Sequence, residues 1–322
     1  SISAPFRGGY AGRRVFGSYR AAFAARRIAG RVRSNGERNM EKRTTGQKTL
    51  MWVVFALFII YAITLLFPFC WCLLNSFKSR GDFNFNIWGL PQEWYFENWV
   101  NCFNLSHNGV NILGMFGNSI IYMVGCTTVS MLSCSVTAYV ISKYKFFGRS
   151  AFYTTAIVLM MIPTTGSMAA TYRLYNTLGF YNTYWGIIVT SCGGFGMGFV
   201  LLYGFFRNLS WSYAEAALVD GAGHFRIFFQ IMLPQALPAL GAVGIMQCIG
   251  IWNDYFTIYM YAPEKVTIAY GLQNLVTQTD YGKVSYPELF AVMIISIIPV
   301  VAVFAIFQNK IMDNTFAGGI KG

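Results

Sequence analysis

Six long apolar runs constrain the fold of this 322-residue chain more than any other feature of its sequence. A helix needs about 20 mainly apolar residues to cross the hydrocarbon core of a bilayer. Lipid offers no hydrogen-bond partner to the backbone, so such runs form helices, and the alternating pattern of barrel strands is missing from the sequence. Hydrophobic residues make up 55% of the chain and charged residues only 11%, which excludes an ordinary soluble domain. The sequence therefore predicts an all-α polytopic membrane protein with six transmembrane helices, at 50–74, 112–141, 150–170, 184–206, 237–260 and 289–307.

The basic residues are concentrated at the N-terminus. In residues 1–48, twelve Lys and Arg stand against two Glu, which gives +10 of the total formal charge of +12 and does not indicate a nucleic-acid-binding face. An arginine-rich stretch with little acid is typical of a transit peptide or of a segment that contacts anionic lipid. Met40 nevertheless opens the sequence of a short leader, and we expect residues 1–39 to be upstream sequence that is not native to the protein or not ordered in it. Residues 1–49 are then a basic cytoplasmic segment, and residues 50–322 are the transmembrane domain.

The Lys and Arg residues of the loops indicate how the chain is oriented in the membrane. If the N-terminus lies in the cytoplasm, the Lys and Arg residues of the loops 143–149 and 207–226 and of the tail 310–321 share that side. The loops on the other side carry five basic residues against six acidic ones. This distribution predicts a multi-pass membrane protein with both termini in the cytoplasm.

The connection between the fourth and fifth runs, residues 207–236, is unusually long for a loop. Connections in compact folds usually take about four to six residues. Ser212 and Glu215 have the spacing of a capping box, which predicts the start of a short helix. Asp220 and Gly221 predict the end of that helix, because glycine tolerates the backbone angles of a sharp turn.

A second helix is predicted at 223–232, where apolar side chains recur at helical spacing. Pro234 interrupts that helix by removing a backbone donor, and Pro238 fits the first turn of the next one. Ala216 and Ala217 keep one surface of the first helix small, so that another surface can approach its backbone. A structured loop of this size is predicted to dock into another protein.

The stretch "EAALVDGAGHFRIFFQIMLPQALP" resembles the EAA signature of binding-protein-dependent ABC importer permeases, which reads E-A-A, then D-G-A, then I-x-L-P. The stretches "MMIP", "LYNTLGFYNTYWGII", "GIWNDYF" and "TFAGGIKG" are similar to the sugar-type branch of that family, on the side of the smaller permease subunit of the maltose transporter. The resemblance covers residues 50–322. It implies an ABC importer permease of type I architecture in the bacterial inner membrane.

In that family the EAA loop is the coupling element and sits in a cleft of the ATP-hydrolysing subunit. The resemblance implies a homologous second permease subunit, two ATPase subunits and an extracytoplasmic solute-binding protein as partners, within membrane lipid. The implied cargo is a sugar or oligosaccharide. The coupling residues that it implies are Glu215, Ala216, Ala217, Asp220, Gly221, Ala222, Ile231, Leu233 and Pro234.

Sequence motifs for catalysis are missing from the chain. It has no phosphate-binding G-x-x-x-x-G-K-[ST] and no G-x-S-x-G, so we expect a non-catalytic subunit whose partner binds and hydrolyses ATP. The seven cysteines have no zinc spacing, and the chain has only two histidines. We therefore expect neither a metal site nor a cofactor.

Polar residues within the apolar runs are the candidates for a translocation path. Asp254 is the one acid that falls clearly within a predicted span, and an intramembrane acid indicates function by default. A single acid near one end of a span argues against a proton-coupled carrier. Uncharged polar side chains can contact a sugar, but they also join helices to each other. The candidate path residues are Asn253, Asp254, Gln247 and Asn118.

Two further features leave alternatives open. The glycines at 193–198 lie inside one apolar run and predict close helix packing, although the family usually has a polar, proline-containing stretch there. The aromatic loop at 75–111 fits an interfacial belt or a docking surface for an external partner. The competing functions are a stand-alone channel or secondary transporter, an ABC importer of a non-sugar solute, and a membrane-bound enzyme.

Overall fold

The computed structural model describes the backbone of residues 45–162 and 164–319 and the side chains of residues 46–162 and 166–306. The predicted tail at 1–39 and the basic side chains at 310–321 lie outside these ranges. The described chain is mostly helical, as predicted, with one small antiparallel hairpin of β1 (Ser106–His107) and β2 (Val110–Asn111). The helices are α1 Thr45–Asn75, α2 Arg80–Phe85, α3 Glu97–Asn101, α4 Ile112–Lys143, α5 Arg149–Met161, α6 Met168–Thr177, α7 Tyr184–Thr190, α8 Met197–Asn208, α9 Ser212–Val219, α10 His224–Ile227, α11 Leu233–Gln235, α12 Leu237–Trp252, α13 Phe256–Tyr261, α14 Ile268–Asp280 and α15 Tyr286–Gly319.

Three helices of the described chain, α1, α4 and α15, are long and apolar enough to cross a membrane. A fourth crossing follows if the bent pair His224–Gln235 and Leu237–Trp252, whose axes differ by 76°, counts as one span. The predicted helices at 50–74, 112–141 and 289–307 therefore exist as continuous elements. The other three predicted runs are each broken.

The run at 150–170 was predicted as one helix and is divided between α5 and α6. Helix α5 ends at Met161, and Ile162 is extended, with φ −81° and ψ 120°. The next residue in the sequence is Pro163, and a residue before proline is kept out of the α region by the proline ring. The break therefore has a local cause.

The run at 184–206 is divided at its glycines, so the prediction of one continuous helix is wrong there. Helix α7 ends at Thr190 and α8 begins at Met197. Between them Gly194 has φ +64° and Gly196 has φ +148°, conformations that other residues rarely adopt. The predicted close packing does occur at Gly198, two residues after Gly196.

The run at 237–260 is divided between α12 and α13. Helix α12 ends at Trp252, and the Asp254 carboxylate then accepts a hydrogen bond from the Thr257 amide at 3.0 Å, at the start of α13. Aspartate that satisfies a free amide at a helix start stabilises the new helix. The W-N-D sequence is thus a helix break rather than part of a continuous span.

Residues up to Phe67 and residues from Pro68 onward form two compact units. The first is described from Thr45 and consists of helix, and its large apolar side chains, such as Trp52 and Phe58, are exposed. The second unit holds the rest of α1 and all the other elements.

Two apolar cores lie within the second unit. The first joins the N-terminal half of α4, through Met115 and Tyr122, to α14 and α15. The second joins the C-terminal half of α4, through Ala138 and Tyr139, to α8 and to the 207–236 segment. Helix α4 has 32 residues and is therefore about 48 Å long. Together with α12 it connects the two cores.

The predicted aromatic loop at 75–111 is folded onto itself rather than being an open strip of rings. Phe77 stacks on Trp99 with ring centroids 5.4 Å apart, and the buried Lys78 ammonium donates to the carbonyl oxygens of Asn86 and Ile87. Burial lowers the pKa of Lys78, and the Asp82 carboxylate partly offsets this effect. Trp88 remains exposed, so the segment combines an internal cluster with outward-facing rings.

Candidate functional site

The 207–236 segment folds as two short helical pieces around a turn, as predicted, but its first helix begins differently. The residue before α9 is Trp211, and no side-chain hydrogen bond caps the helix. The predicted capping box of Ser212 and Glu215 is therefore wrong. Ser212 is already helical, and its amide donates to Ser210 Oγ at 3.3 Å. Glu215 lies exposed in the first turn, where its charge is favourable to the helix dipole.

The turn after α9 is a Schellman motif held by backbone hydrogen bonds. The Gly221 amide donates to the Leu218 carbonyl at 3.0 Å, and the Ala222 amide donates to the Ala217 carbonyl at 2.9 Å. Gly221 has φ +79°, a conformation that residues with a side chain rarely adopt. No atom lies within 4 Å of the place where a Cβ would be, so conformation rather than space selects glycine here.

The two faces of α9 and α10 differ in their surroundings. The inner face packs into the second core, with Ala214, Ile227 and Phe228 buried. Ala217 belongs to this inner face and packs within the chain, whereas Ala216 is exposed. The outer face presents Val219 and Phe225, which are 88% and 83% exposed, on either side of the exposed Asp220 and Gly221.

The link from α10 to α12 contains a π-helix at Phe228–Met232. The Leu233 amide donates to the Phe228 carbonyl five residues earlier, which gives the wide turn of a π-helix. Pro234 follows and has no amide proton to continue the α pattern. The chain bends by 76° before α12, which has Pro238 in its first turn. Ile231 and Leu233 are half-buried in this link, and Pro234 is exposed.

A cleft of about 300 Å³ lies where the glycine break meets α4 and α12. Ser130 and Cys134 of α4 line one side, and Gln247 of α12 lines another, with Phe195 and Gly196 of the break between them. The Gln247 Oε1 atom is buried and has no hydrogen-bond partner among the described residues. A buried acceptor without a partner is costly.

Gly198 lets α8 approach α12 at this cleft. A Cβ at Gly198 would lie 2.9 Å from Gln247 Nε2 and 3.0 Å from Val243 Cγ1, closer than side chains normally pack. Gln247 is a candidate that the sequence predicts, whereas the glycine break is a lining element that the sequence does not indicate. The sequence shows glycines in this apolar run, but the positive φ angles that break the helix become known only with the backbone.

The other three path candidates lie elsewhere. Asn118 accepts a hydrogen bond from the Tyr184 hydroxyl at 2.6 Å and donates to the Val266 carbonyl at 2.9 Å. The Tyr122 hydroxyl donates to the second oxygen of Asp254 at 3.0 Å. Asn253 is exposed and donates to the Ile249 carbonyl at 2.8 Å. Asn118 and Asp254 thus join helices, and of the four candidates Gln247 is the one that lines the cleft.

The described residues contain no group of three or more His, Cys, Asp or Glu side chains that could hold a metal ion. The candidate site consists of the turn at Gly221 and the cleft at Gln247. Both are attached to α4.

Residues 130–313, more than half of the chain, match the family described as binding-protein-dependent transport system inner membrane component. The chain is 32% identical over 270 residues to the diacetylchitobiose uptake system permease protein of Streptomyces coelicolor, covering 83% of this chain and 87% of that protein. It is 28% identical over 274 residues to an arabinooligosaccharides transport system permease protein of Bacillus subtilis, covering 82% and 94%. The fold is that of a chain in a crystal structure of a bacterial ABC transporter involved in alginate import, with a TM-score of 0.69, 22% identity and coverage of 83% and 98%.

Proposed function

Since the chain belongs to the family of binding-protein-dependent transport system inner membrane components, we propose that its 207–236 segment is the coupling loop of an importer. The chain is a permease component of an ABC importer for sugars or oligosaccharides and is a multi-pass protein of the inner membrane. It is a non-catalytic subunit. ATP hydrolysis takes place in two partner ATPase subunits, and the loop receives motion from one of them.

The observation that carries the coupling role is the outer face of the loop. Val219 and Phe225 project on either side of a turn that is fixed by backbone hydrogen bonds, beside the charged Asp220. Large exposed apolar side chains with polar neighbours mark protein interfaces. The inner face is anchored in the second core, so force on the turn reaches the membrane helices.

The coupling residues divide into three roles. Gly221 and Ala222 form the turn, and Glu215, Ala216 and Asp220 contact the ATPase subunit. Ala217 supports the turn from inside, where it is buried. Ile231, Leu233 and Pro234 connect the loop to α12.

The translocation path passes the cleft at the glycine break. Gln247 lines the cleft there, and the broken helix leaves backbone groups next to it. Irregular backbone at membrane depth is tolerated where it lines a cavity. Asn118 and Asp254 support the path by joining the helices around it, and Asn253 is a candidate contact from its exposed position.

The chain crosses the membrane six times and has both termini in the cytoplasm. The spans are α1, α4, α15 and three broken ones, α5–α6, α7–α8 and α12–α13. The distribution of Lys and Arg among the loops supports this orientation. A homologous second permease completes the path, and an extracytoplasmic solute-binding protein delivers the sugar.

The first test is purification of the subunit in mild detergent from its host, with mass spectrometry of the proteins that accompany it. The complex is then reconstituted with its binding protein and offered a panel of diacetylchitobiose, arabinooligosaccharides, galactooligosaccharides and maltodextrins. Co-purification with an ATPase and ATP-dependent uptake of a panel sugar is the expected result. Purification of the chain alone, with uptake that needs no ATP, contradicts the proposal.

A variant pair tests the turn. Gly221→Trp is expected to abolish uptake while leaving the membrane level of the protein unchanged, because the bulky side chain blocks docking. Gly221→Asn is the control, since asparagine tolerates the left-handed conformation better than other residues with a side chain. It is expected to keep at least about half of the uptake. Normal uptake by the tryptophan variant rules out docking at this turn.

A further inference from the structure

Tyr144, the residue that follows α4, holds both helices of the coupling loop at once. Its ring packs edge-on against Trp211, with centroids 5.7 Å apart, and against His224, with centroids 5.6 Å apart. Its hydroxyl lies 3.0 Å from His224 Nδ1, within hydrogen-bond distance. Trp211 immediately precedes α9, and His224 is the first residue of α10. One side chain therefore fixes the starting points of both helices.

The neighbours of Tyr144 attach this contact to the rest of the chain. The Lys143 ammonium donates to the Leu209 carbonyl, just before α9. On the core side the Tyr144 ring packs edge-on against Tyr139, with centroids 5.7 Å apart, and Tyr139 packs against Phe228 at 5.0 Å. Tyr144, Trp211 and His224, which we name the aromatic joint, thus continue into the second core.

Helix α4 leads from the aromatic joint to the cleft. Cys134 lines the cleft and lies ten residues before Tyr144, a distance of about 15 Å along a helix. Ser130 lines the cleft one turn further on. A continuous α-helix between two sites moves as a rigid body more easily than a loop does.

We propose that Tyr144 is a positioning residue that transmits movement of the coupling loop to α4 and hence to the cleft. The inference rests on the proposed coupling function and assigns Tyr144 no contact with ATP or sugar. It predicts that loss of the aromatic joint separates ATP hydrolysis from transport, while the permease still assembles with its ATPase. A residue with a purely structural role would change the amount of complex instead.

Tyr139 supplies a matched control within the same aromatic cluster. Its hydroxyl is buried and interacts with the Tyr144 side chain, but it makes no hydrogen bond of normal geometry among the described residues, whereas the Tyr144 hydroxyl is paired with His224. Removing an unpaired buried hydroxyl is nearly neutral or stabilising, and removing a paired one is not. The substitutions Tyr139→Phe and Tyr144→Phe each remove one hydroxyl group, from two rings that are in contact.

The experiment uses the full complex in proteoliposomes with its binding protein. Uptake of labelled diacetylchitobiose, or of the panel sugar that the wild type imports, is divided by the phosphate released from ATP. We expect Tyr144→Phe to lower this ratio roughly threefold to tenfold, the effect of one lost hydrogen bond, and Tyr139→Phe to leave it unchanged. His224→Phe should repeat the loss, and His224→Asn should restore much of the ratio by placing a polar atom near the former Nδ1 position.

The double variant Tyr144→Phe with His224→Phe should lose no more than either single one, because both remove the same contact. An unchanged ratio in both Tyr144→Phe and Tyr144→Ala complexes overturns the inference, and so does an equal loss in Tyr139→Phe. Measurements on the wild-type complex distinguish failure of the coupling function from failure of the aromatic joint. If it copurifies with no ATPase, the coupling function itself fails, whereas a coupled wild type with coupled Tyr144 variants refutes only the aromatic joint.

Discussion

Gly198 and Gly221 lack a side chain for different physical reasons. At Gly221 the backbone is left-handed and the surroundings are empty. At Gly198 the backbone is helical, but the place of a Cβ is already occupied by atoms of Gln247 and Val243. The first glycine serves a turn and the second serves a contact between helices.

The space at Gly198 leads to a prediction about sugar binding. Gly198→Ala should displace Gln247, since a Cβ there would lie 2.9 Å from its Nε2 atom. Because Gln247 lines the cleft, we expect KM for uptake to rise about threefold to tenfold, the effect of roughly one hydrogen bond. The measurement is sugar uptake against concentration in proteoliposomes.

Gly204→Ala is the control for this prediction, because Gly204 lies on the same helix and no atom is within 4 Å of its Cβ position. That variant should behave as the wild type or be slightly more stable, since alanine favours helix. Equal KM values in both variants would show that the cleft takes no part in sugar binding.

The coupling loop has one exposed and one buried aromatic residue only three positions apart. Phe225 is 83% exposed and Phe228 is 5% exposed. Phe225→Ala should therefore reduce recovery of the ATPase with the permease and leave the membrane level of the permease unchanged. Phe228→Ala should lower the stability of the permease itself by about 3–5 kcal/mol, as buried phenylalanine truncations do.

Two assays separate these outcomes: the amount of ATPase that copurifies, and the thermal unfolding of the permease in detergent. The prediction is contradicted if Phe225→Ala lowers stability and Phe228→Ala alone lowers ATPase recovery. The docking face would then lie on the opposite side of the loop.

The sequence predicted where the helices lie better than where they break. Long apolar runs identified α1, α4 and α15, because burial in lipid is encoded in composition alone. The break after Ile162 was readable from the following proline. The break at Gly194 and Gly196 was not, because glycines in an apolar run serve close packing and sharp turns equally well. The capping box failed because Trp211, which packs on Tyr144, takes the position before the helix.

The candidate site was also predicted only in part. The turn at Gly221 follows from local sequence, since glycine alone adopts its backbone angles easily. The cleft and the aromatic joint combine residues that lie far apart in the chain, such as Tyr144 and His224. Such contacts depend on tertiary packing and leave no periodic signal in a single sequence.

The energy source of transport is a property of the whole molecule, and substitution of Asp254 can test it. In a proton-coupled carrier an intramembrane acid would have to change its protonation, and Asp254 is the candidate that the sequence indicates, so Asp254→Asn would stop uptake. In this structure one Asp254 oxygen accepts from the Thr257 amide, and the other accepts from the Tyr122 hydroxyl. Asparagine keeps the first bond, and its amide group can donate to the tyrosine oxygen. We expect ATP-dependent uptake by Asp254→Asn to stay within about twofold of the wild type.

Asp254→Ala is the contrasting variant. It removes the helix cap, at a cost of about 1 kcal/mol, and leaves the buried Tyr122 hydroxyl without this acceptor. Uptake and thermal stability should fall together. Loss of uptake in the asparagine variant, with normal stability, would instead favour the secondary-transporter alternative.

The turn at Gly221 is held by main-chain hydrogen bonds, so no side chain on its outer face is needed to build it. The identity of the residues at positions 219 and 225 is therefore free to change without loss of the fold. We expect a related permease to accept these outward residues as a transplant and to acquire the ATPase preference of the donor. The outward side chains would then determine which ATPase binds, while the backbone of the loop stays the same. The loop would therefore be a practical starting point for assembling hybrid importers.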